Sequence, residues 1–319
     1  MELLINELQK NGVIILDFGS QYTQLIARRV RELNVYSEIL SSNTHLSQIL
    51  EREPSSIILS GGPSSVFGDE APSFDKKIFD MDVPILGICY GLQLLAHHHG
   101  GLVESNGQGE YGFAEIEIDN DKKLFKNVPK FSQVWMSHMD RVTKLPDEWH
   151  TLAHSSNGVI AAMANKDQTR VATQFHPEVI HSKEGKNILK NFLFNISNCY
   201  ANWTAENFVE QKIKLIREEV GESNVLVGVS GGVDSTVVAA LMNKAVGNQC
   251  NAVLIDHGLL RKDEAKNCVT SLKEGLGVNI HCYNESKIFL SKLKGVTDPE
   301  KKRKIIGNQF IFSFEKISK

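Results

Sequence analysis

Short apolar segments that lead into turns recur along this chain and limit the folds that it can adopt. Val13 to Leu16, Ser56 to Leu59, Pro84 to Ile88 and Val225 to Val229 each have the length and composition of a buried strand. Amphipathic stretches with helical spacing, such as Thr23 to Leu33, lie between them. This alternation indicates parallel βαβ units and predicts an α/β fold with mainly parallel, doubly wound sheets.

The alternating pattern occurs in two series, which predicts two consecutive domains. In the first series, region 111–175 contains short alternating runs, such as Phe113 to Ile118 and Arg170 to Phe175, which predict an antiparallel extension of the sheet. A polar segment follows the last predicted helix of this series and is the best candidate for a boundary. We therefore expect one domain at residues 12–202 and a second at 203–319.

The second series has a simpler pattern of helices and strands. Its expected elements are helix 205–220, strand 225–229, helix 236–246, strand 252–256, helix 263–275 and strand 278–282. The sequence stops at Lys319 inside a further predicted helix, so we expect the second domain to be incomplete.

Composition excludes several classes of protein. The formal net charge of -3 argues against a general nucleic-acid binder, which usually carries an excess of basic residues. No apolar run approaches the roughly 18 residues that cross a bilayer, so no membrane partner is expected. The five cysteines are widely spaced and do not indicate a disulfide framework. These features predict a protein of the reducing cytoplasm.

A glycine-rich turn in the second series has the composition of a phosphate-binding loop. Two adjacent glycines let the backbone approach a ligand closely, and the following helix presents unpaired N–H groups to an anion. An ordinary βα turn would need only the glycines, whereas this one adds hydroxyl donors and the carboxylate of Asp234, which can hold a divalent cation. The predicted loop consists of Ser230, Gly231, Gly232, Val233, Asp234, Ser235 and Thr236.

A cysteine in the first series lies in a sharp strand-to-helix turn. Cys89 is flanked by Gly87 and Gly91, which is typical of a nucleophile elbow with Cys in place of Ser, and the helix N-terminus favours the reactive thiolate. His176 and Glu178 follow another apolar strand and supply a base and an orienting carboxylate. Together they predict a Cys-His-Glu catalytic triad.

A third glycine turn follows the strand that ends at Leu59. The backbone N–H groups of Gly61 and Gly62, together with that of Tyr90, are candidates for an oxyanion hole. We add Gln93, in the helix that follows the cysteine, to this set as a candidate for binding the substrate of the cysteine.

These pieces, in this order, resemble the class I glutamine amidotransferases, which take ammonia from glutamine through a cysteinyl thioester. The phosphate loop resembles that of the N-type ATP pyrophosphatases. Longer motifs over residues 13–319 are similar to those of the glutamine-hydrolysing GMP synthase family. They are Leu16 to Arg29, Gly109 to Gly112, Val134 to His138, Ile255 to Arg261 and Asp298 to Gly307.

The resemblance implies a particular reaction and particular partners. ATP with Mg²⁺, for which Asp234 is the candidate ligand, would adenylate XMP, and ammonia would displace AMP to give GMP, the final step of de novo GMP synthesis. Pyrophosphate is the other product. The family continues into a dimerisation domain that supplies much of the XMP site, so the longer protein is expected to be a homodimer. We expect the present chain to be a fragment competent only for the glutaminase reaction.

Two alternatives remain at this point. One is another amidotransferase-coupled adenylating ligase, for example one that makes NAD, although that family usually carries a nitrilase-type glutaminase. The other is a non-catalytic regulatory or binding fragment. Met139 is a departure from the resemblance, since the family has Gly there, and it affects a stretch that would line the glutamine pocket.

Three further features have ordinary structural interpretations. The run His97 to His99 predicts an exposed helix end, because consecutive helical residues cannot chelate one ion from a single face. Cys250, Cys268 and Cys282 lack paired spacing and are expected to pack in the second domain. Lys301 to Lys304 is a solvated face or, by resemblance, a lid over ATP.

Overall fold

The computed structural model describes residues 11–68, 71–105, 109–119 and 123–318. Its contacts divide the chain into two compact units, Met1–Thr204 and Ala205–Lys319. No helix within the described residues is long and apolar enough to span a membrane.

The first unit is built on a nine-stranded sheet with the order β2-β1-β3-β4-β11-β10-β9-β6-β7. Its strands are β1 Val13–Asp17, β2 Ser37–Ser41, β3 Ser56–Leu59, β4 Ile85–Ile88, β6 Glu110–Ile118, β7 Phe131–His138, β9 Trp149–Ser155, β10 Ile160–Asn165 and β11 Arg170–Thr173. A separate antiparallel pair is formed by β5 Leu102–Glu104 and β8 Arg141–Lys144.

Half of this sheet is parallel and half is antiparallel. The chain runs from β1 outward to β2 and then returns to β3 on the other side of β1, so the strand order reverses between β1 and β3. This reversal is the mark of a doubly wound sheet. The mixed α/β class and the antiparallel extension, formed by β10, β9, β6 and β7, are confirmed.

One prediction within this sheet was wrong. The segment Arg170 to Phe175 was assigned to the antiparallel extension, but β11 pairs in parallel with β4, with Thr173 opposite Ile88. It pairs antiparallel only with β10. The short apolar run gave no information on direction, because a strand buried between two neighbours has the same composition in either sense.

Helices cover both faces of the large sheet. They are α1 Thr23–Arg31, α2 Leu46–Leu50, α3 Tyr90–His98 and α4 Gly185–Asn191, with a 3₁₀ turn at Lys76–Asp80 and a π-helical turn at Phe192–Ile196. Successive residues of β1 point to opposite faces: Ile15 packs in the cluster that includes Ile26 of α1, and Leu16 in the cluster that includes Leu92 of α3.

The second unit has a three-stranded parallel sheet in the order β12-β13-β14. The strands are β12 Val225–Val229, β13 Cys250–Asp256 and β14 Ile280–Asn284. The helices are α5 Ala205–Val220, α6 Val233–Val246, α7 Glu264–Thr270, α8 Ser286–Leu293 and α9 Pro299–Ile317, with short turns at Gly247–Gln249 and Ser271–Gly275. Leu254 packs on one face with Ala239 of α6, and Ile255 packs on the other with Phe289 of α8.

Local features of the second unit differ from expectation at two places. Helix α6 begins at Val233, three residues earlier than predicted, because Gly232 caps it in an extended conformation and accepts a hydrogen bond from the Thr236 N–H. Cys250 is buried and Cys268 half-buried, but the predicted packing of Cys282 is wrong. This cysteine lies on β14, where the residues after Ile280 are exposed.

Candidate functional site

A cavity of about 480 Å³ lies where the segments that follow β1, β3, β4 and β11 come together. The carboxyl ends of parallel strands at a reversal of strand order are the usual place for a ligand in such sheets. The lining residues come from these segments, from α3 and from the antiparallel extension; they include Ser20, Tyr22, Gly62, Cys89, Gln93, Tyr111, Ser137, Met139 and His176.

Cys89 lies at the tight turn between β4 and α3, with a backbone φ of 53° and ψ of -101°. A positive φ is strained for a residue with a side chain, and it persists only where the surroundings impose it. The flanking glycines impose it here: a Cβ on Gly87 would lie 2.5 Å from the Gly91 carbonyl oxygen, and one on Gly91 would lie 2.5 Å from that of Leu59. The Cys89 N–H donates to the Thr173 carbonyl oxygen over 2.8 Å.

His176 and Glu178 meet beside this cysteine. The His176 Nδ1 lies 2.7 Å from Glu178 Oε1, and both side chains are buried. Among the described residues, Oε2 of Glu178 has no hydrogen-bond partner, so this side chain is held through the contact of Oε1 with His176. Burial alone would lower the pKa of His176, but Glu178 and a hydrogen bond with Cys89 raise it to about 10. The arrangement favours the protonated form of the His176 imidazole beside the sulfur of Cys89.

The absence of a side chain at Gly61 leaves room for this contact. A Cβ there would lie 3.2 Å from His176 Cε1 and 3.7 Å from Cys89 Cβ. The structure therefore brings together the three residues predicted as a triad.

Three further residues, to which the sequence analysis gave no individual role, contact the triad. The Ser182 hydroxyl donates to the His176 carbonyl oxygen over 2.6 Å. Arg29 Nε donates to the Glu178 carbonyl oxygen over 2.9 Å, and the Tyr22 ring stands edge-on to the imidazole at a centroid distance of 5.1 Å. These contacts fix the direction in which the base and its carboxylate face.

The predicted oxyanion and glutamine-binding residues lie around the cysteine in different ways. Gly62 and Gln93 line the cavity, and Gly61 lies behind the imidazole. The Tyr90 side chain points into the core, where it packs on Phe18 at a centroid distance of 5.3 Å and where burial raises its pKa. Only its backbone N–H, in the first turn of α3, is available to an oxyanion.

Met139 lies on the wall of the same cavity and is half-exposed. The backbone φ of Met139 is not positive. The main chain at this position therefore does not require the glycine that the family resemblance led us to expect.

The second unit contains the predicted phosphate loop, which is exposed and held by its own hydroxyl groups. The Ser230 N–H donates to Ser235 Oγ over 3.2 Å, and the two hydroxyl oxygens are 3.1 Å apart. The Thr236 hydroxyl donates to the Gly232 carbonyl oxygen over 2.8 Å, and Gly231 has a φ of 80° that favours glycine. The first N–H groups of α6 face solvent at the end of β12, as an anion site requires.

Two cavities adjoin this loop within the second unit. One of about 390 Å³ is lined by Gly231 and Thr236 together with the cationic residues Arg261 and Lys262. The other, of about 210 Å³, is mainly apolar and is lined by residues that include Ser230, Leu254, His257, Leu260, Phe310 and Phe314. A cavity with two cationic side chains and a mainly apolar cavity therefore both border the loop.

The candidate metal ligand and the candidate lid are both exposed. Asp234 lies in the first turn of α6. Within the described ranges, no group of three or more His, Cys, Asp or Glu side chains could hold a metal ion. A magnesium ion that is held mainly by phosphate oxygens and water needs only one or two carboxylates, so this residue fits such a role. Lys301 to Lys304 lie on an exposed part of α9.

Family comparisons agree with the division of the chain into two compact units. The family model "Glutamine amidotransferase class-I" matches residues 14–196, and the model "NAD synthase" matches residues 204–308. The chain therefore belongs to the class I glutamine amidotransferase family.

Curated relatives of this chain carry the name of one particular enzyme. A glutamine-hydrolysing GMP synthase of Fusobacterium nucleatum is 50% identical over 313 residues, which are 98% of this chain and 61% of the relative. One of Campylobacter jejuni is 52% identical over 312 residues, again 98% and 61%. The chain thus spans about three fifths of the length of these curated relatives.

Among solved structures, a protein of Thermoplasma acidophilum that is described as a proposed GMP synthase component is 30% identical to this chain, with a TM-score of 0.54. The match covers 59% of this chain and 94% of the Thermoplasma protein.

Proposed function

We propose that this chain is the glutaminase and ATP-using part of a glutamine-hydrolysing GMP synthase. The single observation that carries the glutaminase is the buried contact of Cys89, His176 and Glu178 at the cavity. The choice of GMP synthase is supported by relatives of that name, which are about 50% identical across both units.

In the first half-reaction, the Cys89 thiolate would attack the side-chain amide carbon of glutamine. His176, which takes the thiol proton, would deliver it to the leaving nitrogen, so that the C–N bond breaks and ammonia departs. Water would then attack the thioester, with His176 accepting its proton, to release glutamate and regenerate the thiol. Glu178 keeps the imidazole in one orientation through Nδ1.

The tetrahedral intermediates of this reaction carry a negative oxygen. The backbone N–H groups of Gly62 and Tyr90 are the donors that we assign to it, because Gly62 lines the same cavity as Cys89 and Tyr90 follows Cys89 in the first turn of α3. A Cβ on Gly62 would lie 2.6 Å from the Phe18 carbonyl oxygen, so this turn accepts only glycine.

In the second half-reaction, ATP would bind at the loop Ser230 to Thr236. Its triphosphate would occupy the cavity that Arg261 and Lys262 line, and its purine the apolar cavity bordered by Phe310. Mg²⁺ held by Asp234 would neutralise phosphate charge. The adenylyl group would pass to XMP with release of pyrophosphate, and ammonia would displace AMP to give GMP.

The acceptor and the assembly belong to the proposal as well. We assign the binding of XMP and homodimerisation to a longer protein, because the curated relatives are longer than this chain. The proposal also includes a reducing cytoplasmic location, since the catalytic thiol must stay unoxidised and the five cysteines are free.

A second candidate comes from the name of the model that matches residues 204–308, which is NAD synthase. An amidotransferase-coupled ligase with a different acceptor would use the same two sites. Amination assays of the longer protein with ATP, glutamine and either XMP or the deamido precursor of NAD separate the two candidates. We expect product with XMP as the acceptor and no product with the deamido precursor of NAD.

The glutaminase is tested by replacing the nucleophile. Cys89→Ser should lower glutamate release by about 10³-fold or more, because serine is not activated by an imidazolium pair of this kind. Cys199→Ser is the matched control, since that buried thiol lies 3.9 Å from Ser56 Oγ and has a pKa raised by burial to about 11. Glutaminase turnover near wild type in Cys89→Ser would contradict the triad and leave a non-catalytic binding fragment as the remaining interpretation.

A further inference from the structure

A buried glutamine outside the triad points at the catalytic sulfur. Gln174 lies between β11 and His176 and has no exposed surface. Its Nε2 lies 3.7 Å from Cys89 Sγ, which is within hydrogen-bonding distance for sulfur. Its backbone N–H donates to the Ala161 carbonyl oxygen over 2.8 Å, so the main chain that carries it is part of the sheet.

A chain of hydrogen bonds decides which end of this amide faces the sulfur. The Asp140 carbonyl oxygen can only accept, and it lies 2.7 Å from the Gln93 side-chain amide, so that amide presents Nε2. The same Nε2 lies 3.5 Å from Gln174 Oε1. Because Gln174 turns its oxygen toward Gln93, it turns its NH₂ toward Cys89. The orientation of the Gln174 amide therefore follows from the Asp140 carbonyl oxygen at the far end of this series of hydrogen bonds.

We propose that Gln174 is a positioning residue for the nucleophile, and that its amide N–H holds the Cys89 sulfur in the thiolate form and in the attacking position. The inference rests on the proposed role of Cys89 as the nucleophile. It assigns to Gln93 a second task, because the amide of Gln93 orients that of Gln174.

The two protonation states of the sulfur have different partners. A thiol can donate to the Ser137 carbonyl oxygen, 3.5 Å from Sγ. A thiolate can only accept, and it would be met by the imidazolium of His176 and by the amide of Gln174. When a fully buried donor is removed, no water takes its place. Its loss therefore raises the free energy of the thiolate relative to that of the thiol.

The test is the pH dependence of Cys89 alkylation by iodoacetamide in the whole chain. Alkylation is followed by the mass of the peptide that contains Cys89, because Cys282 is exposed, unlike Cys89, and would react as well. Gln174→Met keeps the length of the side chain and removes the donor. We expect the alkylation midpoint to move up by about one pH unit, which corresponds to a roughly tenfold loss of thiolate. We also expect glutamine turnover to fall by about tenfold, with a smaller change in KM.

Gln133→Met is the matched control, because that side chain donates to the His181 carbonyl oxygen over 3.3 Å and serves neither the triad nor the chain of amides. Its midpoint should stay at the wild-type value. A folded Gln174→Met variant with an unshifted midpoint would overturn the inference. If this variant does not fold, Gln174→Asn draws the amide away from Sγ and should give the same upward shift, and an unshifted midpoint there would overturn it equally.

The proposed function would fail in a different way. Cys89→Ser with wild-type glutaminase turnover would reject the nucleophile, whatever the alkylation midpoints of the Gln174 variants. A shifted midpoint in Gln174→Met together with an inactive Cys89→Ser supports both statements.

Discussion

Single residues at the cavity are held in states that they would not adopt alone. Cys89 has a positive φ, and the pKa of His176 is raised to about 10 despite its burial. Each state depends on neighbours: the glycine turn imposes the first, and the carboxylate of Glu178 with the sulfur imposes the second. Strain and charge are therefore concentrated on the two groups that would react.

Replacing the carboxylate should change how stability depends on pH. The folded-state pKa of His176 lies above its ordinary value of 6.5, so this group stabilises the folded protein fully below about pH 6.5. The stabilisation is lost as pH rises through about 10. We expect Glu178→Gln to lower the free energy of unfolding most at pH 6 and progressively less toward pH 10. Urea unfolding followed by tryptophan fluorescence measures it, since Trp135, Trp149 and Trp203 all lie in the first unit.

Glu104→Gln is a suitable control for this experiment, because Glu104 is an exposed residue of β5. Its effect should be small at every pH. A difference between wild type and Glu178→Gln that does not vary between pH 6 and pH 10 would contradict the assignment of the raised pKa to Glu178.

The sequence singled out the three residues that meet at the cavity, but not those that hold them in place. Cys89, His176 and Glu178 lie in recognisable short sequence motifs, so they could be identified without knowledge of the fold. Gln174 and Arg29 act on partners that are 85 and 149 positions away in the chain. No local pattern records such a contact, because it is created when separate strands and helices pack together.

At the scale of elements, the elbow between β4 and α3 depends on close approach of backbones. The sequence predicted this strand, this helix and the glycines, since apolar runs and glycines are local signals. It did not predict β2, α2 or β8, which are short and partly polar, nor the direction of β11, which is set by pairing. Elements defined by tertiary partners were the ones missed.

A single added methyl group tests whether the close backbone approach at the elbow matters. Gly91→Ala would bring a Cβ to 2.5 Å from the Leu59 carbonyl oxygen, so α3 would have to move away from β3. We expect a loss of about 2–3 kcal/mol in the free energy of unfolding and reduced glutamine turnover. Urea unfolding and glutamate release measure the two effects.

Gly100→Ala is the matched control, because it lies just beyond the other end of α3, with open space around it and a φ of 89°. Only its backbone conformation opposes the substitution, at a cost of about 1 kcal/mol. Equal losses for Gly91→Ala and Gly100→Ala would show that crowding at the elbow is unimportant.

At the scale of the whole molecule, the two candidate sites are built from separate sets of residues. The cavity at Cys89 is lined by residues of the first unit, and the loop Ser230 to Thr236 lies in the second. Each set stands at the carboxyl ends of parallel strands, where helix N-termini and turns expose N–H groups. Damage to one site should therefore spare the ligand binding of the other.

We expect Asp234→Ala to weaken Mg²⁺–ATP binding by about tenfold while glutamate release stays near wild type. Titration calorimetry with Mg²⁺–ATP and a glutamate assay measure the two properties in the same preparation. Glu274→Ala is the control, since this exposed carboxylate of the second unit lies outside the loop. Unchanged affinity for ATP in Asp234→Ala would remove that carboxylate from the nucleotide site.

The hydrogen bond from Cys89 N–H to the Thr173 carbonyl oxygen closes the ladder between β4 and β11 where both strands end. From this point the chain leads directly to the sulfur on one side and, within three residues, to the imidazole on the other. A thermal displacement of the sheet here carries both groups together, so the vector between them is preserved. A shift of segments at the rim of the cavity therefore leaves the placement of the sulfur relative to the imidazole unchanged.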